Sequence, residues 1–267
     1  MTFGCTMNVA FDLGLLARVE EAGINASAPR EQRWIDGWLV RFSPGKAKRA
    51  RCIQAVAPGR LPIDQKLACC LPVFAAAGLT PCVRITPFSE PAGLDRQLAE
   101  MGMERLDDTH VMVAPSIVRP RALPAVGPAA EAARIESVDG ATFARWIGEA
   151  RGSSALERAS HEERIVRPAV PHRAFLAFDR DGTPVAGGQA VTEDDITGLY
   201  DVFTLPARRG QGFAERICRH LLDDAVETGA TIAYLQVDAE NESARRVYRR
   251  LGFEDAYTYH YRMPAAP

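Results

Sequence analysis

The most informative stretch of the chain reads Pro206-Ala207-Arg208-Arg209-Gly210-Gln211-Gly212-Phe213-Ala214. It follows a predicted strand, residues 199–204, and precedes a long amphipathic segment. A turn between a strand and a helix presents free backbone N–H groups and the positive end of the helix dipole. Glycines let the backbone approach an anion without a Cβ in the way. The stretch therefore predicts a binding site for a phosphate or pyrophosphate.

The residues on either side of this turn predict a mixed sheet with helices packed on it. Apolar residues at spacings of three and four over residues 212–228 indicate a helix that ends at Gly229. Asn241 is a typical N-cap for a second, shorter helix that ends at Gly252. Further strands are predicted at residues 173–178, 185–192, 231–237 and 257–263. This order favours an α/β or α+β fold around a mixed, mostly antiparallel sheet.

The first half of the chain contains a weaker copy of the same pattern. An offset of 150 positions places residues 94–104 over residues 244–254, and residues 82–86 over residues 232–236. Residues 34–42 read as an earlier strand. The offset brings residues 57–64 opposite residues 207–214, where the glycine-rich segment is missing.

A proline-rich connection separates the two halves. We therefore expect an N-terminal domain over residues 1–114, a Pro/Ala-rich linker over 115–134 and a C-terminal domain over 135–267.

Composition narrows the classes of function. The 267 residues are 47% apolar and 25% charged, with a formal net charge of −2. This is the composition of a soluble globular protein without the strong positive field of a nucleic-acid or membrane-surface binder. The six cysteines have no metal-ligand spacing, the histidines do not cluster, and no signal peptide is visible. We expect reduced thiols, no metal and a cytoplasmic location.

Other phosphate-binding motifs fit the glycine-rich stretch less well. No segment matches the P-loop pattern. A dinucleotide fingerprint would need a small residue where Glu215 stands and an acidic residue at the end of a second strand. Asp223 and Asp224 fall inside the predicted helix instead.

Two blocks carry a resemblance to a known family. Residues Arg209-Gly210-Gln211-Gly212-Phe213-Ala214 resemble the [RQ]-x-x-G-x-[GA] acyl-CoA loop of the GNAT superfamily of N-acyltransferases. About 30 residues later, Leu235 to Ala244 and Tyr248 to Phe253 resemble the strand–Asn–helix–Tyr–Gly–Phe segment of that family. The resemblance covers residues 135–263, and the first half resembles a degenerate copy, as in tandem members of the superfamily.

The resemblance implies roles for particular residues and acetyl-CoA as the acyl donor. The pyrophosphate of CoA would lie on the loop, the pantetheine arm against Phe203 and Thr204, and another part of CoA near Asn241. Tyr248 would donate a proton to the departing CoA thiolate. The implied cofactor-binding set is Phe203, Thr204, Arg208, Arg209, Gly210, Gln211, Gly212, Phe213, Ala214 and Asn241.

The general base is the least defined part of the site. Asp201, on the strand that leads to the loop, is the first candidate, ahead of residues 193–195. A turn-pairing role is the alternative for Asp201, a buried core role is the alternative for Tyr248, and Asn241 is a helix cap in either case. The family does not fix the base, and a chain of waters is a further alternative.

The predicted function is transfer of an acetyl group from acetyl-CoA to a primary amine, by direct attack in a ternary complex. The alternative is a non-catalytic acyl-CoA-binding or interaction protein with the same fold, and a different acyl-CoA donor is a third. The acceptor is expected to be a small-molecule or peptide amine, with no nucleic-acid or membrane partner. The sequence identifies neither the acceptor nor the oligomeric state, and leaves a homo-oligomer open.

Overall fold

The structure is a computed structural model that describes residues 4–117 and 125–265. The strands are β1 (Gln32–Ile35), β2 (Trp38–Arg41), β3 (Ile53–Gln54), β4 (Val83–Ile85), β5 (Met103–Ala114), β6 (Arg134–Val138), β7 (His172–Phe178), β8 (Pro184–Glu193), β9 (Ile196–Thr204), β10 (Ile232–Asp238) and β11 (Glu254–Pro264). The helices are α1 (Leu13–Ala26), α2 (Ile63–Ala76), α3 (Leu94–Glu100), α4 (Pro128–Glu131), α5 (Gly140–Ala150), α6 (Ala155–Val166), α7 (Phe213–Glu227) and α8 (Glu242–Arg250). Short 3-10 helices lie at Lys48–Ala50 and Pro206–Arg208.

The strands of the described residues form one eleven-stranded sheet. Their order is β1-β2-β3-β4-β11-β5-β10-β9-β8-β7-β6. Neighbouring strands are antiparallel except in two pairs, β3–β4 and β9–β10, which are parallel. One parallel pair falls in each half of the chain. The predicted fold class, a mixed and mostly antiparallel sheet flanked by helices, is confirmed.

The last strand of each half completes the sheet of the other half. β5 lies between β10 and β11, where Val111 pairs with both Gln236 and Tyr257. β11 lies between β4 and β5, where Tyr261 pairs with Arg84 and Leu106. The helices α2 and α7 begin 150 positions apart, the same offset that the sequence showed. This reciprocal arrangement agrees with two tandem copies of one fold.

Helices cover both faces of the sheet. On one face, α7 packs on the C-terminal strands through a cluster that includes Ile217 and Leu221, and α2 packs similarly through Phe74 in the N-terminal half. On the other face, α1 packs through Leu16 and α5 through Phe143. Burying a side chain of this size stabilises the fold by about 1.5–3 kcal/mol, so the separate clusters on both faces of the sheet contribute to stability.

The elements around the glycine-rich turn form for the reasons that the sequence indicated. The apolar stripe of α7 faces the sheet, and Gly212 precedes the helix with φ 88°. The Oδ1 atom of Asn241 accepts a hydrogen bond from the N–H of Ala244 at 3.1 Å and caps α8. The hairpin β7–β8 turns at residues 179–182, where Gly182 has φ 77°.

Two expectations need a different description. Residues 34–42 are not one strand, because the chain reverses at Asp36 and Gly37, both with positive φ, and forms the hairpin β1–β2. Residues 118–124 of the predicted linker lie outside the described residues, and the rest of that segment includes α4 and the start of β6. In the part of the chain that the structure describes, no helix is long and apolar enough to cross a bilayer.

Candidate active site

A cavity of about 910 Å³ opens between the glycine-rich loop, the N-terminus of α7 and the helix α8. Its lining includes the whole predicted cofactor-binding set and Tyr248: Phe203, Thr204, Arg208, Arg209, Gly210, Gln211, Gly212, Phe213, Ala214, Asn241 and Tyr248. Residues from the two blocks of the sequence pattern thus meet in one place. Asp201 is not part of this lining, although Arg151, which contacts it, is.

The loop leaves a run of backbone donors for a ligand. Gly210 and Gly212 take positive φ, 74° and 88°, which costs other residues about 1–2 kcal/mol. No acceptor among the described residues takes the backbone N–H groups of residues 210–214. Several adjacent N–H groups at the positive end of α7 form a binding site for an anion.

Gly212 is also sterically required. A Cβ at this position would lie 2.9 Å from the backbone N of Gly127 and 3.2 Å from the Cβ of Val126. The segment after the undescribed residues therefore packs directly against the loop and forms one wall of the cavity.

The strands β9 and β10 separate beside the loop. Their parallel pairing ends at Leu199 and Leu235, after which β9 continues to Thr204 beside β8 alone. The backbone of residues 200–204 therefore has an edge that β10 does not pair. The hydroxyl of Thr204 is buried and has no hydrogen-bond partner among the described residues. Both features suit an extended amide-containing chain that enters between the two strands.

The cavity is predominantly positive. Phe203 lies between the guanidinium groups of Arg151 and Arg209, whose centres are 5.5 and 5.8 Å from its ring centre. Arg208 donates to Asp179 at 2.6 Å, and Arg250 donates to Glu215 at 2.6 Å. These ion pairs orient the arginines. An excess of positive charge in a concave site attracts phosphate groups.

Tyr248 reaches the cavity from α8 and packs against Phe253, with ring centres 6.1 Å apart. Burial raises the pKa of its hydroxyl well above the usual value. The hydroxyl is therefore protonated at neutral pH, as a proton donor requires. The capping bond of Asn241 uses its Oδ1 atom, so its amide N–H groups are the donors that face a ligand.

Asp201 is the centre of a hydrogen-bonded cluster on the opposite face of the sheet from α7. Its carboxylate accepts from Arg151 at 2.6 Å and Gln189 at 2.9 Å, and lies 3.0 Å from the Nε2 atom of His161. Although burial opposes ionisation, the His161 contact, followed by the charge of Arg151, holds the pKa of Asp201 well below its usual range. Gln189 in turn contacts the Nδ1 atom of His172 at 3.0 Å. A carboxylate with this many donors has low affinity for a proton.

The sequence analysis missed several residues of this region. Arg151 follows α5 and His161 lies on α6, neither of which has a recognisable motif. The wall formed by Val126 and Gly127 belongs to the segment expected to be a linker. Within the part of the chain that the structure describes, no group of three or more His, Cys, Asp or Glu residues is arranged to hold a metal.

Comparison with known proteins supports the family resemblance that the sequence motifs indicated. Residues 143–253 match the acetyltransferase (GNAT) family. An uncharacterized N-acetyltransferase, YobR, of Bacillus subtilis (strain 168) is 26% identical over 247 residues, which are 87% of this chain and 92% of that protein.

Solved structures resemble the fold over most of its length. A GCN5-related N-acetyltransferase from Kribbella flavida superposes with a TM-score of 0.65 at 22% identity and covers 96% of this chain and 98% of its own. A tandem GNAT protein from the clavulanic acid biosynthesis pathway gives a TM-score of 0.55 at 16% identity, covering 79% of this chain and 73% of its own. The resemblance to the GNAT superfamily is confirmed, with the family match over residues 143–253.

Proposed function

We propose that the protein transfers an acetyl group from acetyl-CoA to a primary amine, and that the C-terminal half binds the donor and carries the chemistry. The observation that carries this proposal is the run of free N–H groups at residues 210–214, in one cavity with Tyr248. The pyrophosphate would accept from these N–H groups. The amide groups of the pantetheine arm would pair with the open edge of β9 and with the hydroxyl of Thr204.

The reaction requires the acceptor amine to lose a proton and the departing CoA thiolate to gain one. An alkyl amine has a pKa of about 10, so about one molecule in a thousand is neutral and nucleophilic at pH 7. After the neutral amine attacks the thioester carbonyl, the tetrahedral intermediate expels a thiolate. We propose that Tyr248 protonates that thiolate, because its hydroxyl group belongs to a residue that lines the same cavity and keeps its proton at neutral pH. No acyl-enzyme is needed when both substrates are held together.

For the base, we propose that Asp201 acts through His161. The low pKa of Asp201 makes it a poor proton acceptor, but its carboxylate can fix the orientation of the His161 ring across their 3.0 Å contact. We expect His161→Gln to lower kcat with an unchanged Kd for acetyl-CoA. We expect Asp201→Asn to lower kcat less. Equal kcat for all three proteins would exclude this assignment.

The first test is a calorimetric titration with acetyl-CoA. We expect one site per chain, on the C-terminal half. We then expect Tyr248→Phe to lower kcat by about 100-fold, as loss of a general acid does, with an unchanged Kd for acetyl-CoA. Tyr261→Phe is the matched control, because Tyr261 does not line the cavity.

The outcomes separate the proposal from its rivals. Binding without acetyl transfer to any amine would favour a non-catalytic acyl-CoA-binding protein. Equal kinetics for Tyr248→Phe and the natural protein would mean that Tyr248 is a core residue and not the acid. Tighter binding and faster turnover with succinyl-CoA than with acetyl-CoA would reassign the donor.

A further inference from the structure

Two arginines, one from each half of the chain, lie near enough for the charge of one to act on the other. Arg49 belongs to the 3-10 helix Lys48–Ala50 of the N-terminal half, and Arg164 belongs to α6 of the C-terminal half. The Nε atom of Arg49 and the Nη1 atom of Arg164 are buried and have no hydrogen-bond partner among the described residues. A buried donor left without an acceptor costs about 1–3 kcal/mol, and more when it is charged.

The local charges do not balance. Throughout residues 4–117 and 125–265, no Asp or Glu oxygen lies within 4 Å of the side-chain nitrogens of Arg49 or Arg164. The nearest relevant carboxylate, Asp201, already receives hydrogen bonds from Arg151 and Gln189 and contacts His161. Burial lowers the pKa of Arg164; the charge of Asp201 opposes this effect, and the charge of Arg49 adds to it. An anion that binds between two such cations would stabilise both of them.

Arg49 lies beside the point where β9 and β10 separate. Arg49 contacts the side chains of Gln236 and Tyr259 and stacks on Tyr200, with its guanidinium carbon 5.6 Å from the ring centre. Tyr200 and Gln236 are the first residues after the last parallel pair of β9 and β10, so Arg49 covers the point where these strands separate. On the proposed function, the acetyl group would lie at this point.

On the proposed function, the donor and the acceptor would bind on opposite faces of the sheet. Val202 packs beneath α7, on the face of the phosphate-binding loop. Asp201 and Phe203 contact residues of the opposite face, on and after α5 and α6. Donor and acceptor would thus approach the separated strands from opposite faces, and the acceptor face carries Arg49 and Arg164.

We propose that the acceptor is a primary amine that also carries a carboxylate, as an amino acid does, and that Arg49 and Arg164 bind this carboxylate. A guanidinium group offers paired donors that match the two carboxylate oxygens. Because one arginine comes from each half, the N-terminal half supplies acceptor specificity although it lacks the phosphate-binding loop. This inference rests on the proposed acetyl transfer.

The test compares ω-amino acids with their carboxamides as acceptors. Glycine, β-alanine, 4-aminobutyrate and 6-aminohexanoate place the carboxylate at increasing distance from the amine, and each carboxamide removes only the charge. We expect the acids to be acetylated with a higher kcat/KM than the amides, with an optimum at one chain length. We expect Arg49→Gln and Arg164→Gln each to lower kcat/KM for the acids by about 10- to 100-fold, the size of a charge-assisted hydrogen bond.

The amides should be nearly insensitive to both substitutions, and the Kd for acetyl-CoA should not change. Arg145→Gln is the matched control, because Arg145 is exposed on α5; it should leave both acceptor series unchanged. Arg49→Lys keeps the charge and should retain part of the preference for acids. If either glutamine variant lowers acid and amide turnover equally, the arginine is structural and the inference is wrong.

A binding measurement covers the case in which no member of the series is acetylated. We expect hexanoate to raise the thermal unfolding temperature of the natural protein more than hexanamide does, and this difference to vanish in Arg49→Gln. Absence of the difference would overturn the inference. Failure of acetyl-CoA to bind would overturn the proposed function instead, and the two failures are therefore distinguishable.

Discussion

The loops before α2 and α7 occupy equivalent positions, 150 residues apart, but their backbone N–H groups differ in whether a side chain of the protein accepts hydrogen bonds from them. Before α7, the N–H groups of Gly210 and Gln211 face a cavity and have no acceptor among the described residues. Before α2, the aligned N–H groups of Arg60 and Leu61 donate to the carboxylate of Asp36 at 2.9 and 2.8 Å. The N-terminal loop thus holds an anion that is part of its own chain.

The charged residues around the two loops differ in the same way. Lys66 is fully buried, donates to the carbonyl of Pro58 and lies 3.4 Å from the Asp36 carboxylate, so the internal anion has an internal counter-ion. The cavity beside this loop, about 570 Å³, has two carboxylates, Asp64 and Glu100, and one arginine, Arg60, in its lining, so it suits a phosphate less well. Among the described residues that line the cavity beside α7, the charged ones are five arginines and Glu215.

The main difference between the two loops is a single acceptor side chain, Asp36, which is present at the loop before α2. Both loops present N–H groups at the start of a helix, as the fold dictates. Whether a ligand binds there depends on whether a side chain already accepts those hydrogen bonds. This supports the proposal that acetyl-CoA binds to the C-terminal half alone.

The largest effect is expected from a substitution that removes the space for an anion beside the loop before α7. Gly212→Val combines an unfavourable φ of 88° with a Cβ placed 2.9 Å from the backbone N of Gly127. We expect the affinity for acetyl-CoA to fall by about 1000-fold or more, about 4 kcal/mol, in a calorimetric titration. Pro62→Ala changes the aligned residue of the other loop and should leave the affinity unchanged.

A circular dichroism spectrum and a thermal melt of Gly212→Val establish that the variant is folded. If the folded variant binds acetyl-CoA normally, the phosphate-binding role of residues 210–214 is wrong. Two sites in the natural protein, with one surviving in the variant, would mean that the N-terminal loop also binds the donor.

The second difference lies one helix further on, where Leu98 of α3 aligns with Tyr248 of α8. Leu98 is fully buried in the N-terminal core, whereas Tyr248 reaches the cavity. We expect Leu98→Ala to lower the free energy of unfolding by about 3 kcal/mol, as cavity formation at a buried leucine does, measured by urea titration. The Kd for acetyl-CoA should not change at a temperature where the variant is folded. A loss of donor affinity without loss of stability would contradict the structural role assigned to Leu98.

Much of the C-terminal half could be predicted from its sequence. The spacing of apolar residues predicted α7, the residue types of the turn predicted a loop with free N–H groups, and Asn241 predicted the start of α8, because each feature depends on neighbours within a few positions. The offset between the halves also predicted equivalent helices. These features depend on residues that are close together in the sequence, so the sequence alone is enough to predict them.

Features that depend on distant pairing could not be predicted in this way. The exchange of β5 and β11 joins residues about 150 positions apart, and neither strand carries a sign of its partner. The cluster around Asp201 draws Arg151, His161 and Gln189 from separate elements. The hairpin β1–β2 is different, because its turn contains an Asp-Gly step, Asp36-Gly37, as the turn at residues 179–182 also does, and such a step is a local turn signal.

Asp36 provides the finest test of the comparison, and its effect is expected to be the smallest. The backbone N–H of Leu61 is the largest cause that lowers the pKa of this carboxyl, with the N–H of Arg60 and the charge of Lys66 acting in the same direction. A carboxyl whose pKa is lower in the folded state stabilises the fold above its unfolded pKa of about 3.9. This contribution is lost as the pH falls through the folded pKa.

We therefore expect Asp36→Asn to be less stable than the natural protein at pH 7, because the amide is a weaker acceptor and leaves Lys66 without its counter-ion. The difference in the free energy of unfolding should be constant down to about pH 5 and shrink below about pH 4, measured by urea titration at each pH. Asp181→Asn, at an exposed turn position, is the matched control and should show no such pH dependence. A difference that persists unchanged at pH 3 would mean that the Asp36 charge does not hold the loop. The contrast between an internally occupied loop and an open one would then rest on backbone shape alone.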